Sequence, residues 1–192
     1  GLDENTIVIF TSDNGGLSVH EGANTPATDN APLRMGKGYL YEGGLRVPLI
    51  VRWPGVTPKG AECAAACINT DFLPTLCGAA GVPKQDLPAP LDGVSLLPLL
   101  HDPKASFDQG DLFWHYPHFA NQGSRPGSAI RRGDWKLIEW HETGQVELYD
   151  LKSDPSESAD VSAAQSATAK ELQEALHAWR ERVGAKMPPK KG

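Results

Sequence analysis

The stretch from Asp111 to Leu151 most constrains how this chain can fold. Four short strand candidates, Asp111–Tyr116, Ser128–Arg131, Trp135–Trp140 and Val146–Leu151, follow one another with the turn signals Arg132-Gly133-Asp134 and Glu142-Thr143-Gly144 between them. Connections that short favour antiparallel hairpins, because a parallel crossover needs a much longer link. A polar stretch with Asp154-Pro155 comes next. Leu172, Leu176, Trp179 and Val183 then mark the apolar stripe of a helix from about Ala167 to Val183, with Gly184 as its C′ residue. The spacing predicts a small four-stranded antiparallel sheet with a C-terminal helix packed on it.

The first half reads differently. Thr6–Thr11 (TIVIFT) and Pro48–Trp53 (PLIVRW) are β-branched apolar runs of the kind that suits strands buried on both faces, as in a parallel sheet. Between them, from Ser12 to about Leu45, lies a long loop rich in Gly, Asn, Thr and Pro, and loops of that length inside a domain are usually functional. A helix is predicted over Asp71–Ala80, with Asn69, Thr70 or Asp71 as its cap, Pro74 in the first turn and Gly81 as its stop. Leu91–Leu100 reads as a turn and a short apolar helix or extended segment. The fold class is therefore α/β, with an α/β piece over residues 1–104 and an antiparallel-sheet subdomain over residues 105–192.

Composition narrows the function. The 192 residues carry a formal net charge of -6, against the basic face of a nucleic-acid binder. Arg131-Arg132 and the tail pair Lys190-Lys191 read as solvated surface, and Pro188–Gly192 as a frayed end. No apolar run has the length of a membrane span. Cys63, Cys67 and Cys77 make an odd set with no partnering His cluster, so zinc is disfavoured; they read as small buried hydrophobes, Cys63 and Cys67 on one helical face. The chain opens on Gly1-Leu2-Asp3-Glu4 with neither an initiator Met nor a signal peptide, as a fragment of a longer polypeptide would.

Three motifs carry chemistry. Thr11-Ser12-Asp13-Asn14-Gly15-Gly16 sits at the carboxyl end of the first strand, where open α/β sheets bind ligands. Asp13 and Asn14 offer two hard oxygen donors suited to Ca²⁺ or Mg²⁺ rather than zinc, although Asn-Gly after a strand is also the commonest hairpin signal, and taken alone the motif reads as a turn. In Pro32-Leu33-Arg34-Met35-Gly36-Lys37-Gly38, Lys37 stands between glycines as a compact point charge for an anion, or as a solvated loop lysine; the spacing of a P-loop is absent. In Tyr41-Glu42-Gly43-Gly44-Leu45-Arg46-Val47-Pro48, Glu42 and Arg46 read as a structural ion pair.

In this order and spacing the motifs resemble the central to C-terminal portion of the type I, formylglycine-dependent sulfatases of the alkaline-phosphatase superfamily. The resemblance runs on through Thr70–Leu76, Leu91–Leu97, and Glu147–Leu151 with Asp154-Pro155, and so covers nearly the whole chain. It implies that Asp13 and Asn14 ligate an active-site calcium and that the catalytic residue Lys37 contacts the substrate sulfate. It places the other metal-binding aspartates, the catalytic histidine, a second sulfate-binding lysine and the C/S-x-P-x-R motif that yields formylglycine upstream. Ser124-Arg125-Pro126-Gly127-Ser128 begins like that motif but ends in Ser128 where Arg is required.

Phe113-Trp114-His115-Tyr116-Pro117-His118-Phe119 resembles the C-terminal subdomain of bacterial polysaccharide and aryl sulfatases. His115 and His118 are candidate sugar contacts there, or plain neighbours of a packed sheet face. His20, with Glu21 and Asn24, is a candidate for the substrate mouth; Arg125, Arg131 and Arg132 read as ordinary surface before they read as contacts for an anionic glycan. The expected partner is a sulfated small molecule or polysaccharide, and the resemblance implies a periplasmic or secreted location. The alternatives are a phosphodiesterase or phosphonate hydrolase of the same superfamily, and a non-catalytic glycan-binding fragment. A chain without the nucleophile is expected to be inactive alone, and its unpaired strand edges to limit solubility.

Overall fold

The computed structural model describes residues 1–188, so Lys190-Lys191 and most of the Pro188–Gly192 tail lie outside the described residues. The chain has an α/β fold and divides into two compact units. One comprises Gly1–Thr11 with Leu49–Gly110; the other comprises Ser12–Pro48 with the chain from Asp111 onward.

In the first unit, β1 (Val8–Thr11) and β2 (Leu49–Arg52) form a two-stranded antiparallel ribbon in which Phe10 faces Ile50 and Ile9 faces Val51. This corrects the expectation of parallel strands buried on both faces. Ile9 and Val51 turn toward Phe72, Leu76, Leu96 and Leu100 around an apolar cavity. Phe10 and Ile50, on the other face, are each 61% exposed. A β-branched run records strand propensity, but what covers each face is decided elsewhere in the chain.

A 3₁₀ turn over Asn69–Asp71 leads into α2 (Phe72–Ala79), which Gly81 ends at φ 73°; α1 (Glu42–Leu45) belongs to the second unit. Asp71 is fully buried and takes backbone N–H bonds from Ile68 and Val94, both at 2.8 Å, and both of its oxygens accept from Gln109. Thr75 donates to Asp71 O at 2.6 Å and accepts from Leu96 N at 2.8 Å, just before α3 (Leu97–His101). The three cysteines are free; Cys63 is exposed and Cys67 and Cys77 are half-buried, in contrast to the buried set expected. Residues 61–68 form no helix, since an Ala-rich run of that length lacks the tertiary packing that holds short helices.

The second unit is built on the predicted sheet. β3 (Leu112–Tyr116), β4 (Gly127–Arg132), β5 (Trp135–Trp140) and β6 (Val146–Asp150) lie in that order, every pair antiparallel. Side chains alternate between the faces. Ile130, Leu137 and Leu148 point one way and bury Ala169, Leu172 and Leu176 of α4 (Ser166–Arg182). Phe113 stacks on Trp179 at 4.8 Å between ring centroids. Ala129, Ile138, Trp140 and Tyr149 point the other way and are covered by Leu40 and Tyr41 from the long loop. The sheet thus has a helix face and a loop face.

The arginine pair is engaged in ion pairs, although Arg132 keeps 40% of its side chain exposed. Arg132 grips Asp111 with two bonds of 2.7 Å and reaches Glu171 at 2.5 Å, and Arg131 lies 3.6 Å from buried Glu42. Both sit where the strand brings distant acids alongside, which local sequence does not show. Arg125 likewise covers the Trp140 ring at 4.5 Å.

Candidate metal and oxyanion site

Asp13 and Asn14 follow directly on β1 and Ser12, with Asp13 exposed and Asn14 half-buried; the Ser12 hydroxyl donates to Asn14 O at 2.8 Å. Beyond them the chain enters a knot of backbone. Gly15 donates its N–H to Gly44 O at 2.9 Å, and Lys37 donates to Gly16 O at 3.1 Å. Asn30 clasps both strands of the knot: its amide donates to Gly16 O at 2.8 Å and to Met35 O at 2.9 Å, and its oxygen accepts from Gly16 N at 3.2 Å. The backbones pass too close for side chains. A Cβ at Gly15 would stand 1.7 Å from Gly43 O, and one at Gly36 would stand 2.2 Å from Gly16 O. The glycines of the DNGG, GKG and EGG motifs are therefore one packing requirement met from three sides.

This knot ties the backbone at Lys37 to Gly16, two residues beyond Asn14. Lys37 is exposed, and the preceding Met35 holds φ 60°, a conformation that L side chains seldom adopt.

As a cation site the donor set is chemically apt but small. Asp13 and Asn14 present a carboxylate and an amide oxygen, both hard donors. Calcium takes roughly six to eight oxygens. Among the described residues there is no group of three or more His, Cys, Asp or Glu side chains able to hold a metal. The chain fits a hard cation as a contributor of ligands, not as a complete cage.

The knot is fastened to the loop face of the sheet. Arg34 donates to Tyr149 Oη at 3.0 Å and to Glu157 O at 2.8 Å, and its guanidinium lies 3.9 Å over the Tyr41 ring. Tyr41 and Tyr149 both donate to Glu147 Oε2, at 2.8 and 2.9 Å, while Trp140 Nε1 donates to Glu147 Oε1 at 2.8 Å. Burial, then the carboxylate of Glu147, raises both tyrosine hydroxyls well above their ordinary range, so they stay protonated donors. Glu42 pairs with Lys136 at 2.9 Å, and not with Arg46 as its neighbourhood in sequence suggests.

His20 and Glu21 are exposed, in a turn where Glu21 N and Gly22 N donate to Thr25 Oγ1 at 2.7 and 2.9 Å. Gln122, which sequence reading does not single out, joins this turn to the knot. Its amide bonds Glu21, its carbonyl accepts from Tyr39 Oη at 2.6 Å, and its side chain abuts Gly38. His118 is exposed, edge-on to Tyr116 at 5.8 Å. His115 lies on the helix face with both ring nitrogens engaged, Nδ1 at 2.7 Å from Ser128 Oγ and Nε2 at 2.9 Å from Lys186 O. Arg34 and Glu147 lie inside the quoted motifs without a role of their own there, and Asn30, Gln122, Lys136 and Glu157 are not singled out by sequence, because each acquires its role through a contact with another segment.

Comparison with known proteins identifies the family. Residues 34–183 match the family model described as N-sulphoglucosamine sulphohydrolase, C-terminal. A sulfatase of Formosa agariphila is 39% identical over 174 residues, covering 85% of this chain and 30% of that protein. Human arylsulfatase A is 32% identical over 197 residues, covering 92% of this chain and 37% of that protein. A solved enzyme in complex with its substrate D-glucosamine-2-N,6-O-disulfate superposes with a TM-score of 0.73 at 27% identity, over 98% of this chain and 37% of that one. A solved complex with k-i-k-neocarrahexaose superposes with a TM-score of 0.71 at 27% identity, over 92% of this chain and 37% of that one. The chain thus spans about a third of the length of these relatives. With the family model covering most of its length, the chain belongs to the sulfatase family, of alkaline-phosphatase-like fold, and matches its C-terminal region.

Proposed function

We propose that this chain supplies part of the active site of a sulfatase that hydrolyses a sulfate ester on a carbohydrate. The observation that carries the reading is the 3.1 Å bond from Lys37 N to Gly16 O, which builds the two-oxygen motif and the loop lysine into one backbone knot. Asp13 and Asn14 would hold a calcium ion together with ligands from outside residues 1–188. When bound, such an ion supplies charge that polarises a sulfate oxygen. Lys37 places its ammonium against the sulfate and neutralises charge on the ester as the leaving oxygen departs. The nucleophile, a formylglycine by family resemblance, is not among the described residues. His20 lines the substrate mouth, with His118 a second sugar contact. His115 is committed on the helix face and contributes there through packing.

Carbohydrate is favoured because solved relatives hold a glucosamine disulfate and a neocarrahexaose. By the same resemblance the protein works in the periplasm or outside the cell.

The test assays the protein carrying this chain on aryl sulfate and aryl phosphate esters with calcium present. Sulfate turnover is expected, reduced by about 100-fold or more in Asp13→Ala and Lys37→Ala variants that keep their fold. Preference for the phosphate ester would point to a phosphodiesterase or phosphonate hydrolase. Unaltered turnover in both variants would remove the assigned site.

A further inference from the structure

The loop face carries a set of buried charges that the proposed chemistry leaves unused. Lys136, on the inner strand β5, is fully buried, with Nζ 2.9 Å from Glu42 Oε1 and 2.9 Å from Glu157 Oε1. The two carboxylates come from separate segments: Glu42 opens α1 shortly after Lys37, and Glu157 lies in the turn beyond β6. Arg131 stands 3.6 Å from Glu42 Oε2, so the pocket balances two cations against two anions.

Glu157 is the less ordinary partner. It is a non-glycine residue at φ 51°, and it serves the lysine loop twice. Its Oε2 accepts from Glu42 N at 2.6 Å and its carbonyl accepts from Arg34 at 2.8 Å. Arg34 and Glu42 bracket Lys37 in sequence, so both ends of the Lys37 turn are tied to one buried point. Buried ion groups add little stability over an apolar set of the same volume. A strained residue beside a desolvated lysine persists where the surroundings over-determine the geometry.

We propose that Lys136 is the positioning residue for Lys37: with Glu42 and Glu157 it locks the turn that carries the Lys37 ammonium in place relative to Asp13 and Asn14. This rests on Lys37 being the sulfate-contacting cation, as proposed above.

Lys136→Met combined with Glu157→Gln removes one cation and one anion and leaves Arg131 opposite Glu42, so no buried charge is stranded. In the protein carrying this chain, the pair is expected to lower kcat/KM for an aryl sulfate by about 10- to 100-fold, the scale of a misplacement of about 1 Å. In a Lys37→Ala background the same pair is expected to change kcat/KM by less than about 2-fold, because a residue acting through Lys37 has nothing left to position. Equal losses in the two backgrounds, or no loss with Lys37 present, overturn the proposal while the sulfatase reading stands. A Lys37→Ala protein as active as the parent overturns both. If the double variant melts below the assay temperature, both backgrounds are assayed below its midpoint, under the same expected and overturning results.

Discussion

Lys37 and Gly16 share a backbone hydrogen bond of 3.1 Å, so the candidate oxyanion lysine and the candidate metal motif cannot shift independently. The bond exists because Gly16 and Gly36 let the two strands of the loop meet without side chains between them. Everything proposed for the site depends on that approach.

Adding a single methyl group should therefore break it. At Gly15 a Cβ would fall 1.7 Å from Gly43 O, and at Gly36 it would fall 2.2 Å from Gly16 O; both obstacles are backbone and cannot swing aside. Gly15→Ala and Gly36→Ala are each expected to destabilise the fold by about 1–3 kcal/mol or more. At Gly22 nothing lies within 4 Å, and Gly22→Ala is expected to stay within about 0.5 kcal/mol of the parent. Urea unfolding of the three variants checks this, and equal midpoints would show that the knot yields.

Metal affinity follows from ligand number. Asp13 and Asn14 give two side-chain oxygens, and calcium sites tighten as charged oxygen ligands are added. Titration calorimetry of the 192-residue chain alone should find no calcium site tighter than about 1 mM, and the same preparation should not turn over an aryl sulfate. A micromolar site or measurable hydrolysis would mean that the chain completes a centre by itself.

The sheet and its helix were legible because both rest on local pattern. Trp135–Trp140 is a short apolar and aromatic run between two turn signals, and Leu172, Leu176 and Trp179 recur at helical spacing. The buried charges were not. Lys136 reads as a solvent-facing residue between Trp135 and Leu137, and it is buried only because Glu42, 94 residues away, arrives over it. For the same reason the expected Glu42–Arg46 pair gave way to Glu42–Lys136: proximity in sequence predicts a partner only while no better one folds into reach. Asp13, Asn14 and Lys37 are singled out only by the family resemblance of their motifs, while Asn30, which clasps Gly16 and Met35, looks like any loop asparagine.

The ribbon of the first unit exposes an apolar pair. Phe10 and Ile50 face each other across the two strands, each 61% exposed, with Val8 at 48% beside them. Exposed apolar strand faces promote association. Phe10→Thr with Ile50→Thr is expected to lower dye binding to apolar surface and slow aggregation of this chain, with little change in unfolding midpoint, because neither side chain lines the cavity that Ile9 and Val51 face. A large drop in midpoint would mean that the pair is part of the core.

Acid lability should centre on the helix face. The Ser128 hydroxyl lies 2.7 Å from His115 Nδ1 and 2.8 Å from His141 Nε2, and Arg180 stands 3.4 Å from the same His141 nitrogen. Ser128 has one proton and can donate to only one of the two rings. Burial pushes His141 down to about 4; the charges of Arg180 and His115 add to this and Glu139 opposes it. An unfolded chain returns this ring to about 6.5, so between those values the unfolded state binds the extra proton. The stability contributed by neutral His141 is complete above about 6.5 and is lost as pH falls toward about 4. Glu139 also titrates low: burial pushes it up, but hydrogen bonds from His177, Gln173 and Arg180 outweigh that, so its contribution fades at the acid end of the range. His141→Leu removes only the first term. Thermal melts of parent and variant from pH 8 to pH 4 should therefore diverge below about pH 6.5, the variant losing less stability on acidification. Parallel curves across that interval would rule out His141 as the group that titrates.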